Sequence, residues 1–249
     1  MLKINRVLGG YLARYLSRPK KGYVRHDTVP VAEIMKVLQP GDIVLVDGNS
    51  RISTAIKYLT QSTWSHASLF VGPVGADPEV PSLVEADLND GVILVPLSKY
   101  AAYNVRICRP VGLADEERQM LVSFVEERLG YRYDLKNIFD LMRYLIQNPW
   151  VPPRFRRRLI SLGSSEPTKA ICSTLIAQAY QSVNYPILPR RREERDDAGK
   201  IAYLYRHYSH FVPRDFDLSP YFRIVKPTLE RNFDFRTFNW GADQEQAPE

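Results

Sequence analysis

A cysteine and a histidine stand where each could do chemistry. Cys172 lies in Ile171-Cys172-Ser173-Thr174-Leu175-Ile176-Ala177-Gln178-Ala179-Tyr180, whose apolar spacing predicts a helix with the thiol in its first turn. Backbone N–H groups there have no partner inside the helix and carry a partial positive charge. A thiol ionises more easily in that field, and a developing oxyanion finds donors. His66, in Trp64-Ser65-His66-Ala67-Ser68-Leu69-Phe70-Val71, begins a predicted strand and is the candidate base. Free cysteines are also among the most buried residue types, and Leu175, Ile176, Ala179 and Tyr180 mark a core-facing helix. A packing role for Cys172 therefore stands beside the chemical one.

A thiol and an imidazole need a third polar group to orient the ring. Glu85, in Ser82-Leu83-Val84-Glu85-Ala86, is the candidate, because a carboxylate in an apolar strand needs a partner. Asp87 is the next choice. Asp77 and Asp90 sit in turn-like surroundings where solvation accounts for them.

The elements that must position these residues follow from pattern. A turn at Pro40-Gly41-Asp42 leads into a strand over 43–46, and Ile52, Ile56 and Leu59 predict a short helix. Strand-like runs at 67–71, 83–86, 91–96 and 105–108 predict a small antiparallel sheet or barrel, with Cys108 a packed strand residue that does not pair with Cys172. Asp115, Glu116 and Glu117 open a helix whose stripe is Leu121, Phe124, Val125 and Leu129, closed by Gly130. Three pieces are expected: a basic amphipathic lead-in at 1–35, a catalytic domain at 36–185 with an Arg/Pro-rich insert near 147–168, and a C-terminal extension at 186–249 that wraps the domain and ends in a polar tail.

Composition narrows the function classes. The chain has 249 residues, 45% of them hydrophobic, which is enough for a full core. Two cysteines make neither a disulfide framework nor a cysteine-rich zinc site, so no metal and no cofactor is expected. The net charge of +6 and the runs 154–158 and 190–192 raise a nucleic-acid reading, but both runs fall in Pro-flanked connections without a binding motif. The basic excess fits a solvated surface or a weak anionic-membrane contact through the N-terminus better, with no specific nucleic acid. No stretch reaches the ~20 apolar residues of a membrane span, and no export signal is evident, so cytoplasmic residence, peripheral to a membrane at most, is expected.

The segments Pro40-Gly41-Asp42-Ile43-Val44-Leu45, Trp64-Ser65-His66-Ala67, Val84-Glu85-Ala86, Gly130-Tyr131-Arg132-Tyr133-Asp134 and Ile171-Cys172-Ser173-Thr174-Leu175, in that order, resemble the permuted NlpC-type, papain-like amidases, in particular the YaeF/YiiX branch. Ordinary NlpC-type enzymes place the cysteine before the histidine, so the order here resembles the circularly permuted form. The resemblance covers about residues 36–185. It implies an α+β papain-like fold, an antiparallel sheet or small barrel packed against the helix carrying the nucleophile. It also implies that Cys172 is the nucleophile, His66 the base and Glu85 its orienting group, with Tyr133 and Ser173 as substrate-binding or oxyanion residues.

The reading that follows is a cysteine hydrolase cleaving an amide bond of a small peptide or amino-acid conjugate, such as a cell-wall fragment. A thiol acyltransferase or lipid hydrolase at a membrane surface is the alternative, since the related lecithin retinol acyltransferase group resembles it in Cys and His chemistry. A non-enzymatic binding module on the same scaffold is the third. Thiol reactivity separates the last from the others, because a catalytic cysteine alkylates near neutral pH and a buried structural one does not.

Overall fold

A computed structural model of the chain describes residues 18, 22–26, 29–87, 90–132, 171–195, 201–230, 234 and 236. In chain order these form α1 (Val31–Met35), β1 (Ile43–Asp47), α2 (Arg51–Thr60), β2 (His66–Phe70), β3 (Pro81–Asp87) and β4 (Gly91–Pro96). A 3-10 turn (Leu97–Tyr100), β5 (Asn104–Pro110), α3 (Asp115–Glu126) and α4 (Ile171–Ser182) come next. The described part continues through β6 (Arg190–Arg195), β7 (Ile201–Leu204), a second 3-10 turn (Tyr208–His210), α5 (Pro213–Leu218), β8 (Phe222–Val225) and α6 (Pro227–Glu230).

Six strands make an antiparallel sheet in the order β4-β3-β2-β1-β5-β8. The expected α+β architecture is therefore present. Both faces are covered, which is why β1 reads as a nearly unbroken apolar run and buries all five residues. One face carries Leu45, Ala67, Leu69, Val84 and Cys108 against Leu121 and Val125 of α3 and Leu175, Ile176 and Tyr180 of α4. The other carries Val44, Val46, Phe70 and Leu83 against Ile34, Met35, Leu97 and Tyr100. Cys108 is fully buried on β5, and both cysteines are free.

The turn before β1 is pinned from three sides. Gly41 has φ +88°, a left-handed conformation that favours glycine. Its carbonyl accepts from the Tyr180 hydroxyl on α4, and Arg118 of α3 donates to the Pro40 carbonyl. Buried Asp42 accepts from Arg109 of β5 through both oxygens, at 2.8 and 2.6 Å. The Pro-Gly-Asp segment thus locks both covering helices to the sheet.

Several expectations need adjustment. Leu129 lies beyond the end of α3 and is exposed, so the apolar stripe is Leu121 and Val125, with Phe124 packed at its margin. Arg190–Arg195 is not a plain connection; it is a strand paired with β7. Residues after 185 do more than wrap: Phe211, Phe216 and Phe222 are core residues, and β8 extends the sheet by pairing Ile107 with Val225. Residues 1–17 of the expected amphipathic lead-in, the Arg/Pro-rich insert, the polar tail and Tyr133 lie outside the described residues.

Candidate active site

Cys172 is the second residue of α4, which packs against β2 and β3. His66 is the first residue of β2, and Glu85 sits mid-way along β3. Strand alternation puts Ala67, Leu69, Val84 and Ala86 on the α4 face, and therefore His66 and Glu85 on the opposite face with Tyr100. The thiol and the imidazole meet because the strands part. The β2–β3 ladder is registered at Leu69↔Val84 and Phe70↔Leu83 and stops short of Ala67. The Ala67 N–H, left out of the ladder, hydrogen-bonds the Cys172 sulfur.

The His66 Nε2–H donates to Glu85 Oε2 at 2.9 Å. A carboxylate can only accept, so the proton is fixed on Nε2 and Nδ1 is left for the thiol, with which the ring is hydrogen-bonded. Glu85 Oε2 also accepts from the buried Tyr100 hydroxyl, which in turn accepts from Ser68 at 3.1 Å. Glu85 Oε1 accepts from the Lys99 ammonium. Sequence reasoning named Cys172, His66 and Glu85, which the structure brings together, and did not name Lys99 or Tyr100. Both sit on a 3-10 turn after β4, and the only sequence signal was Pro96 ending a strand ahead of a Lys-Tyr pair.

The electrostatics follow from these partners. Burial by itself would push His66 down, but the adjacent Cys172 sulfur and the Glu85 carboxylate outweigh it and raise its pKa to about 10. Burial would push Glu85 up, but hydrogen bonding and charge from His66, then Lys99, bring it down to about 2. Burial would raise Cys172 too; the His66 charge and hydrogen bond, the Ala67 N–H and the Ser173 hydroxyl hold it below the ordinary thiol value. The favoured state is a thiolate–imidazolium pair. Cys108, which has no such partners, is pushed well above the ordinary range by burial.

Ser173 is fully buried, its Oγ 4.0 Å from the Cys172 sulfur, so its side chain faces the thiol and not an open wall. Asp77 and Asp87 cap their own turns by accepting from the N–H groups of Glu79 and Asp90. Among the described residues no group of three or more His, Cys, Asp or Glu side chains is arranged to hold a metal ion. The loop before His66 is held from outside. The Trp64 indole donates to Asp217 Oδ2 at 3.0 Å, Arg106 reaches Asp217 Oδ1 at 2.7 Å, and the guanidinium lies 4.9 Å from the Trp64 ring centroid.

No curated protein matches the chain. A solved structure, the metalloprotein yiiX from Escherichia coli O157:H7, is 18% identical with a TM-score of 0.46, over 76% of this chain and 96% of that one. Residues 37–144 match the model of the permuted papain-like amidase enzymes, YaeF/YiiX, C92 family, a span that includes His66 and Glu85 and ends before Cys172. Over those residues the chain is similar to the permuted papain-like amidases, a family of cysteine peptidase/amidase-type hydrolases.

Proposed function

We propose that the chain hydrolyses an amide bond in a small peptide or amino-acid conjugate through a Cys172–His66–Glu85 triad. One observation carries the reading: a single imidazole bonds Glu85 through Nε2 while its other nitrogen serves the thiol of a helix-start cysteine. The Cys172 thiolate attacks the carbonyl carbon, and the oxyanion takes hydrogen bonds from backbone N–H groups in the first turn of α4. His66 gives its proton to the leaving nitrogen as the C–N bond breaks, leaving an acyl-thioester and a free amine. The neutral ring then takes a proton from water, whose oxygen attacks the thioester. Collapse breaks the C–S bond and releases the acid, leaving the thiolate beside the imidazolium that kept the water's proton, so the starting pair is restored. Ser173 supports the thiolate from the buried side, and Glu85 holds the ring and the charge it gains.

The experiment is a screen of small amide and dipeptide substrates, combined with intact-mass detection of a trapped acyl adduct. Turnover with an adduct mapped to Cys172, and neither in Cys172→Ala, is the expected result. Turnover unchanged in Cys172→Ala would overturn the reading.

A further inference from the structure

We propose that Lys99 is a positioning and charge-tuning residue of this centre: its ammonium, seated on the Glu85 oxygen that His66 does not use, sets how tightly the carboxylate retains the imidazolium proton. The inference rests on the triad reading and goes beyond it by adding a fourth charge. Glu85 is almost wholly buried, and its two oxygens are divided. Oε2 takes His66 and Tyr100, and Oε1 takes Lys99. The groups facing His66 are Cys172 from α4, Glu85 from β3 and Tyr100 from the 3-10 turn, with Lys99 one carboxylate oxygen further on.

Thiolate, imidazolium, carboxylate and ammonium sum to zero. Without the ammonium the cluster carries one net negative charge in a poorly solvated place. That charge has one nearby outlet, which is a firmer hold on the imidazolium proton. An acid that will not release its proton is a poor donor to a leaving nitrogen. Lys99 suits the task structurally. Its side chain is 41% exposed, so the ammonium remains hydrated while it touches a carboxylate that is 1% exposed. Its nitrogen lies 5.7 Å from the Tyr100 ring centroid, which ties it to the residue that holds the other oxygen.

The test is an imidazole-nitrogen NMR titration of the full chain labelled with 15N-histidine, the His66 signal being the one lost in His66→Ala among four histidines. In wild type His66 should be charged at pH 7 and lose its proton near pH 10. Lys99→Met should move that step upward by about one pH unit, Lys99→Gln should do the same although it keeps a donor, and Lys99→Arg should restore it. On any amide substrate found, kcat should fall more than KM changes in the two neutral variants. A His66 that is charged in wild type and titrates unchanged in Lys99→Met and Lys99→Gln overturns this inference and leaves the triad standing. A wild-type His66 already neutral at pH 7 overturns both.

Discussion

His66 Nε2 and Glu85 Oε2 lie 2.9 Å apart across two strands whose ladder ends at Leu69↔Val84, three residues past His66 on β2 and one residue before Glu85 on β3. The bond replaces the missing ladder. It holds the parted strands at a spacing that lets α4 bring its thiol to the gap from the far side of the sheet. From this the behaviour of the thiol can be worked out.

Cys172 should alkylate with iodoacetamide faster at pH 6–7 than an ordinary thiol, because it is held below the ordinary value by His66. In His66→Ala burial remains and the partner is gone, so the rate at pH 6–7 should fall at least about tenfold. Cys108 is an internal control and should stay unmodified in both. Peptide mapping of the labelled site at each pH checks the outcome.

Stability should show a plateau whose edges come from the same pair. The raised His66 contributes in full below its unfolded value of 6.5, and that contribution is lost as pH rises through about 10. The depressed Cys172 contributes in full above its unfolded value of 9.0, and that contribution is lost as pH falls. Between 6.5 and 9.0 the two trends oppose each other, which flattens their sum. Glu85 adds stability above 4.5 that is lost as pH falls through about 2. Melting temperatures across pH 3–10 should therefore decline on both sides of the plateau, and Cys172→Ala should lose the plateau shape while costing only ~1–2 kcal/mol near neutrality. A larger loss with hydrolysis intact would mark Cys172 as core only.

Tyr100→Phe leaves the buried Glu85 carboxylate one donor short. The expected cost is ~1–3 kcal/mol by denaturant melts, with reduced rather than absent turnover, because His66 still bonds Oε2. Glu85→Gln should likewise retain a fraction of activity, since the amide oxygen can accept from His66 but stabilises its charge less.

Asp217→Asn tests the clamp on the segment leading into His66. The Arg106–Asp217 pair is part-exposed, so its loss should change stability by less than ~1 kcal/mol. Backbone hydrogen exchange over 61–66 should accelerate even so, because Trp64 loses part of its anchor. Exchange that stays unchanged there would show that packing alone holds the loop.

Gly91→Ala should destabilise by more than ~1 kcal/mol, measured by urea unfolding. Gly91 has φ +80°, and an added Cβ would come within 2.2 Å of the Tyr131 carbonyl oxygen, where the chain leaving α3 bonds back to Val92.

Much of this was legible because it is local. Gly41 in Pro40-Gly41-Asp42, the β-branched run of β1 and the acidic first turn of α3 each announce an element, and Cys172, His66 and Glu85 each stand out in their own short context. Lys99 and Tyr100 could not be found the same way. What brings them to Glu85 is the β3–β4 register, Pro81↔Pro96 through Asp87↔Gly91, and the 3-10 turn that follows. Register is a property of two segments together, so neither betrays it alone. β8 was missed for a related reason: Phe222-Arg223-Ile224-Val225 alternates for only four residues, too few to stand out beside the prolines and arginines around it.

That last strand has a consequence for how the protein is made. β5 is complete once residue 110 has been synthesised, yet its outer neighbour runs from Phe222 to Val225. At ribosomal speeds of about 5–20 residues per second, the β5 edge waits on the order of ten seconds for its partner. During that wait, alternate N–H and C=O groups of β5 face outward as a template for any extended chain nearby. The nascent protein should therefore be most prone to aggregate while its second half is still being translated, and a chaperone that shields strand edges should raise the soluble yield of the wild-type chain.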